Sequence, residues 1–189
     1  RTYAKVCELL LRLQANYLCP AMHDASMAFH RIPENRVVAD RFAILMGASH
    51  CEPLLFNTAS EWKRDKMGEW DYINNKKGVD SVLNVRVKEC APFENVYTLA
   101  LRGLHDAAMG GGDVPMREKV KMLESALNAQ REIIARHIDK PVETIPQAFT
   151  PYKEVLEIYS NGLELPDDVT IIWADDNFGY MKRLSGPQE

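Results

Sequence analysis

The sequence predicts an α/β fold with a parallel sheet, a (β/α)8 barrel of the TIM type of which about five βα units are present. Short apolar runs alternate with stretches of helical period, which is the pattern of strands joined by crossover helices. The polar and acidic residues gather just after the apolar runs, where parallel α/β folds place their sites. The rival architecture, an open doubly wound sheet, lacks support, because neither a GxGxxG turn nor a P-loop occurs.

The first segment, Arg1–Leu13, places Val6, Leu9, Leu10 and Leu13 at helical spacing, and Asn16–Met22 then turns strand-like. Val37–Arg41 predicts a short helix leading into an apolar strand, Ala43–Gly47. The polar stretch Asn57–Lys77, with Trp62 and Trp70, has no clear period, and its tryptophans fit sugar stacking and ordinary packing equally well. Val79–Cys90 reads as helix and Asn95–Leu101 as a buried strand. After the flexible run Gly110–Asp113, Pro115 opens the longest helix, Met116–Ile138. Thr144–Ala148 is a short strand. Thr150 and Pro151 supply a cap and a first-position proline for a helix over Tyr152–Tyr159, which Asn161-Gly162 ends. Val169–Ala174 is apolar throughout, as a strand covered on both faces should be.

At 189 residues, 46% hydrophobic and 26% charged, the composition is that of an ordinary globular protein. The 23 basic and 27 acidic residues give a net charge of −4 with no basic block, which argues against nucleic acid or an anionic membrane as partner. No apolar run approaches a membrane span, and no signal peptide is visible. Cys7, Cys19, Cys51 and Cys90 form no CxxC pair, so free, packed thiols are expected. Beginning within a helix and without Met, the chain reads as a piece of a longer protein, with residues 1–189 a single incomplete domain.

Four consecutive strand ends carry chemistry. Ser49, His50 and Glu52 follow the second strand; Arg102, His105 and Asp106 follow the third. Tyr152 and Glu154 follow the fourth, and Asp175, Asp176, Asn177 and Tyr180 the fifth. Turn residues alone do not require so many carboxylates. Their convergence suits hydrolysis by a carboxyl pair, one protonating the leaving oxygen and the other activating water. Each residue also has a plainer reading: Glu154 as a helix-dipole complement, Asp175–Asn177 as a turn, Arg102 as a structural ion pair. A zinc-deaminase reading of His50-Cys51-Glu52-Pro53 fails for want of a later P-C-x-x-C. A metal-dependent hydrolase using His50, His105 and Asp106 is disfavoured by the absence of HxH spacing, so neither metal nor other cofactor is expected.

Five segments, taken in order, resemble glycoside hydrolase family 115. They are Leu10–Met22, Val38–Pro53 (VADRFAILMGASHCEP), Val96–Asp106 (VYTLALRGLHD), Glu143–Tyr159 (ETIPQAFTPYKEVLEIY) and Leu165–Leu184 (LPDDVTIIWADDNFGYMKRL). The resemblance implies an inverting α-glucuronidase with a (β/α)8 barrel, acting on glucuronic acid or 4-O-methyl-glucuronic acid side groups of xylan. It implies Glu154, Asp106 and Asp175 as catalytic residues, and Arg102, His50, Asn177 and Tyr180 as substrate contacts. Glucuronoxylan or its oligosaccharides would be the partner, in an extracellular or periplasmic setting, with a homodimer formed through domains outside this segment. Cys19, His23, the stretch Ala48–Glu52 and the run Gly110–Asp113 depart from the family pattern, which bears on substrate detail. On this reading Glu154 is held protonated as the acid, Arg102 forks the substrate carboxylate, and Asp106 or Asp175 activates water. The alternatives are a non-catalytic carbohydrate-binding barrel, or a related glycosidase taking another glycone such as galacturonic acid.

Overall fold

Amphipathic helices and very short buried strands make the frame. The computed structural model describes residues 2–109, 114–181 and 183, so the predicted loop Gly110–Asp113 lies outside the described residues. The helices are α1 (Thr2–Arg12), α2 (Pro33–Arg41), α3 (Arg64–Met67), α4 (Lys76–Cys90), α5 (Met116–His137) and α6 (Glu154–Ser160). The strands are β1 (Tyr17–Leu18), β2 (Leu45–Met46), β3 (Tyr97–Leu99), β4 (Gln147–Phe149) and β5 (Thr170–Ile171). Every pairing is parallel: β1 with β2, β3 with β4, and β4 with β5. A single parallel bridge, Met46 to Asn95, carries the order from β2 to β3. The strands therefore stand side by side in chain order with their C-terminal ends at one edge. This is a mixed α/β fold with parallel sheets, as the alternating periods predicted.

The main core lies between the sheet and the α4–α5 pair. Val79, Leu83 and Val87 of α4 meet Leu123, Leu127 and Ile134 of α5, and β3 and β4 contribute Tyr97, Leu99 and Phe149. A second cluster around Cys7, Phe29, Ala39, Ile44 and Met46 seats α1 and α2. All four cysteines are free thiols; Cys7, Cys51 and Cys90 are buried and Cys19 is exposed. No helix of the described residues is long and apolar enough to cross a membrane.

The structure differs from the predicted elements at several places. Pro33 opens α2 four residues earlier than apolar spacing suggested, as a first-turn proline can. The stretch 57–77 contains the one-turn α3 and the start of α4. Trp70 stacks on Phe56 and meets Trp62 edge to face, and its indole N–H donates to the Arg102 carbonyl at 2.7 Å, so both tryptophans make packing contacts. The strand expected over Thr144–Ala148 begins as a 3-10 turn, Val142–Thr144, and pairs only from Gln147. Pro146 has no N–H for the ladder, though its carbonyl accepts from Tyr97 N–H at 2.9 Å. The fifth strand is not covered on both faces: Thr170 is exposed and Ile172 is 43% exposed, because β5 is the outer strand among the described residues.

One side chain fixes where β3 stops. Gln130 of α5 is fully buried; its Nε2–H donates to Ala100 O at 2.6 Å and its Oε1 accepts from Ala100 N–H at 3.0 Å. The backbone thereby leaves the sheet with its polar groups satisfied, two residues before Arg102. Gln130→Ala leaves both Ala100 groups buried and unpaired, and is expected to lower unfolding free energy by about 2–4 kcal/mol. Urea denaturation checks this; a loss below about 0.5 kcal/mol would show the lock to be unimportant.

Candidate functional site

A buried arginine gathers the rim. Arg102, just past β3, has a side chain only 2% exposed. Its Nε–H and Nη2–H donate to the two carboxylate oxygens of Glu154, at 3.0 and 2.7 Å, in a two-pronged pair. Its remaining edge serves Asp106: Nη1–H donates to the Asp106 carbonyl at 2.9 Å and ion-pairs with that residue's carboxylate. Asp106 Oδ1 also lies 2.7 Å from His50 Nε2, and Oδ2 accepts from Lys153 Nζ at 2.9 Å. Side chains following β2, β3 and β4 thus meet in one charged network.

The loops that carry these groups are locally strained. His105 and Asp106 both hold positive φ, 54° and 65°, inside a short 3-10 turn. The expected Thr150–Pro151 helix start is also absent. Helix α6 begins at Glu154, and Lys153 sits before it at φ 53°, ψ −127° without a side-chain cap. That is a glycine-type conformation for a lysine. It is held by tertiary contacts on either side: the Lys153 ammonium on Asp106 and the Glu154 carboxylate on Arg102.

Burial works against ionising Glu154, but the Arg102 fork and a 3.0 Å hydrogen bond from Met109 N–H outweigh it. Its carboxyl is held below the ordinary range. The sequence expectation is a protonated Glu154 beside an acidic substrate; in the substrate-free site Arg102 favours the ionised form. Arg102 likewise differs from expectation, since both its edges are already occupied by Glu154 and Asp106. The cation that an incoming carboxylate can reach is Lys153, whose side chain is 46% exposed. Burial first, then the positive charges of Arg102 and Lys153, push His50 down to about 4. A neutral His50 that donates from Nε2 to Asp106 must accept at Nδ1, where Ser49 Oγ lies at 3.1 Å.

Below this network Glu52 is buried. Its carboxylate accepts from Ser49 N–H at 3.0 Å and from Asn57 Nδ2–H at 2.7 Å. Burial raises its pKa, and these donors oppose the rise. Thr98 Oγ–H donates to Ala48 O at 2.9 Å, stitching the ends of β2 and β3 beneath His50.

Four expected residues therefore come together: Arg102, Asp106, Glu154 and His50. Asp175 and Asn177 are exposed, on the wall of a neighbouring hollow of about 310 Å³ whose other wall includes Tyr152 and Lys153. Tyr180 stands apart, 71% exposed, with its backbone paired to Asp176. His105 is 55% exposed and faces Asp24 at 3.9 Å. Sequence reasoning missed Lys153 and Asn57. Lys153 adjoins Glu154 and carries the only nearby positive charge in its segment, a signal that was present but indistinguishable from a surface lysine.

The profile of glycosyl hydrolase family 115 matches residues 1–189. A solved structure described as a family GH115 4-O-methyl-α-glucuronidase with specificity for decorated arabinogalactans is 44% identical, with a TM-score of 0.93. The alignment covers 100% of this chain and 25% of that one, so the chain spans about a quarter of that relative's length. No curated protein matches.

Because Arg102 lowers the Glu154 pKa in the folded state, the unfolded chain binds the extra proton as pH falls below the ordinary value of 4.5. The stabilisation is present above that value and lost on acidification toward the lower folded value. Glu154→Gln should flatten this acid limb of the stability curve, read as melting temperature against pH. An unchanged limb would show that the Arg102–Glu154 pair is not formed in solution.

Proposed function

The chain belongs to glycosyl hydrolase family 115, and from that premise we propose that the protein carrying it is an inverting α-glucuronidase. It releases glucuronic acid or 4-O-methyl-glucuronic acid from a decorated polysaccharide, and residues 1–189 form the central part of its (β/α)8 barrel. The observation that carries the reading is the network on Arg102, which sets Asp106, Glu154, His50 and Lys153 at one end of the parallel strands. Glucuronoxylan is one substrate of this chemistry; the 44% identity to an enzyme acting on decorated arabinogalactans favours testing a glucuronylated arabinogalactan beside it. An extracellular or periplasmic setting goes with such polymers.

The uronate lies over the rim with its carboxylate toward the Lys153 ammonium. Glu154, ionised on Arg102, is the base that takes a proton from water as the water attacks the anomeric carbon. Asp175, across the hollow from Lys153, is the acid that protonates the departing glycosyl oxygen. Asp106 holds His50 and Lys153 in place, and Asn177 binds a sugar hydroxyl. Inversion requires acid and base roughly 6.5–9.5 Å apart, with room for water between them. Two carboxylates alone fit many glycosidases; the cation beside them selects an acidic sugar.

The test is product analysis with the full-length protein on glucuronoxylan and on glucuronylated arabinogalactan. The released sugar is identified, and its anomer is read by NMR before mutarotation. Free glucuronic acid or its 4-O-methyl ether as the β-anomer is expected; binding without any uronic acid would leave a carbohydrate-binding barrel instead. Glu154→Gln should lose about 10³-fold or more on polymer and on an activated aryl glycoside alike. Asp175→Asn should lose activity on polymer but retain most of it on the aryl glycoside, whose leaving group needs no acid. The opposite pattern would exchange the two roles.

A further inference from the structure

The active rim holds a set of soft and hard donors that the hydrolytic reading does not use. An imidazole nitrogen of His50, Cys51 Sγ and a carboxylate oxygen of Asp106 all lie within 4.8 Å of one another. Cys51 is buried, 2% exposed, directly under the rim, and the side chains of His50 and Asp106 are 17% and 16% exposed. The set is therefore reachable from one side and closed on the other. Met22 adds a thioether 3.7 Å from the Cys51 sulfur.

We infer that His50, Cys51 and Asp106 form a site for a thiophilic divalent cation, zinc above all, and that occupation of this site blocks the catalytic rim. The chemistry matches a tetrahedral ion with three protein ligands and one water. Zinc accepts thiolate, imidazole and carboxylate at ~2.3, ~2.0 and ~2.1 Å, which places ligand atoms ~3.2–3.8 Å from one another. The widest separation, up to 4.8 Å, must close by about 1 Å, whereas His50 Nε2 and Asp106 Oδ1, 2.7 Å apart, must open; both movements are within the reach of side-chain rotation at His50 and Asp106. Hard cations such as magnesium lack the preference for sulfur and nitrogen that this set imposes.

Charge and protons balance. Arg102 and Lys153 are matched by Glu154 and Asp106, so the network itself is near neutral. Zinc displaces the Cys51 thiol proton to solvent, and the thiolate carries one of the two compensating charges. The carboxylate of Glu52, whose charge reaches the Cys51 sulfur, lies on the same side. His50 moves its single proton from Nε2 to Nδ1, which faces Ser49 Oγ, so that Nε2 is free to ligate the metal. Binding removes the His50 and Asp106 side chains from the arrangement that holds Lys153, which is why occupation and hydrolysis exclude each other.

The blocking claim rests on the glucuronidase reading; the binding claim does not. Zinc chloride is titrated into the full-length protein in competition with a chromophoric chelator, and cobalt(II) serves as a spectroscopic stand-in. Wild type should take up one zinc more per chain than Cys51→Ala, and its cobalt form should show a thiolate-to-cobalt charge-transfer band that Cys51→Ala lacks. Cys51→Ser, which keeps the side-chain volume, should also lose the band, whereas Cys19→Ser should bind as wild type does. Equal zinc uptake by wild type and Cys51→Ala, or a charge-transfer band that survives in Cys51→Ser, overturns the site. In the hydrolysis assay zinc should abolish uronic acid release by wild type and leave Cys51→Ser active. Zinc bound without inhibition overturns the blocking claim. No uronic acid release from metal-free protein defeats the glucuronidase reading, while the zinc site stands on its spectrum.

Discussion

A single guanidinium organises this end of the protein. Arg102 is almost wholly out of water, and a buried charge of that kind is tolerated only when its donors are matched. Glu154 takes two of them, and the Asp106 backbone and carboxylate take two more. These partners lie on loops after different strands, so the pairing fixes two loops relative to β3 in one interaction. The desolvation penalty also makes the arrangement all-or-none, since loss of either acid strands a charge in the interior.

The frame delivers Arg102 to that position through backbone chemistry. Gln130 reaches from α5 to close off Ala100, the Trp70 indole binds the Arg102 carbonyl, and Thr98 ties β3 to the end of β2. Each contact satisfies a main-chain group that the sheet has released, so strand termination and site placement are the same event. The close approach of β1 to β2 has a comparable origin. Gly47 leaves space that the Tyr17 hydroxyl fills, and a β-carbon there would collide with it.

The parallel α/β class was legible in the alternation of periods, and the site was legible because parallel strands bring their following residues to one edge. The strand-end rule listed His50, Arg102, Asp106 and Glu154 among its candidates, and the family resemblance gave them their expected roles. Ionisation was not legible: the state of the Glu154 carboxyl is set by the arginine that faces it, a contact fifty-two residues apart in the chain. The Thr150-Pro151 start of α6 was read from a sound local rule and overridden by tertiary ion pairs. Trp62 and Trp70 were ambiguous because aromatic packing and sugar stacking use the same residues. Lys153 looked like any solvated lysine until its backbone was seen.

That backbone has a consequence for how the protein can change. At φ 53°, ψ −127° residue 153 occupies a region where glycine is at ease and a side chain is not, yet the side chain present is the cation nearest the rim. Conformational comfort and electrostatic duty therefore oppose each other at one position. Glycine there would relieve the backbone and take the ammonium off Asp106, whereas lysine keeps the ion pair and accepts a weaker helix start.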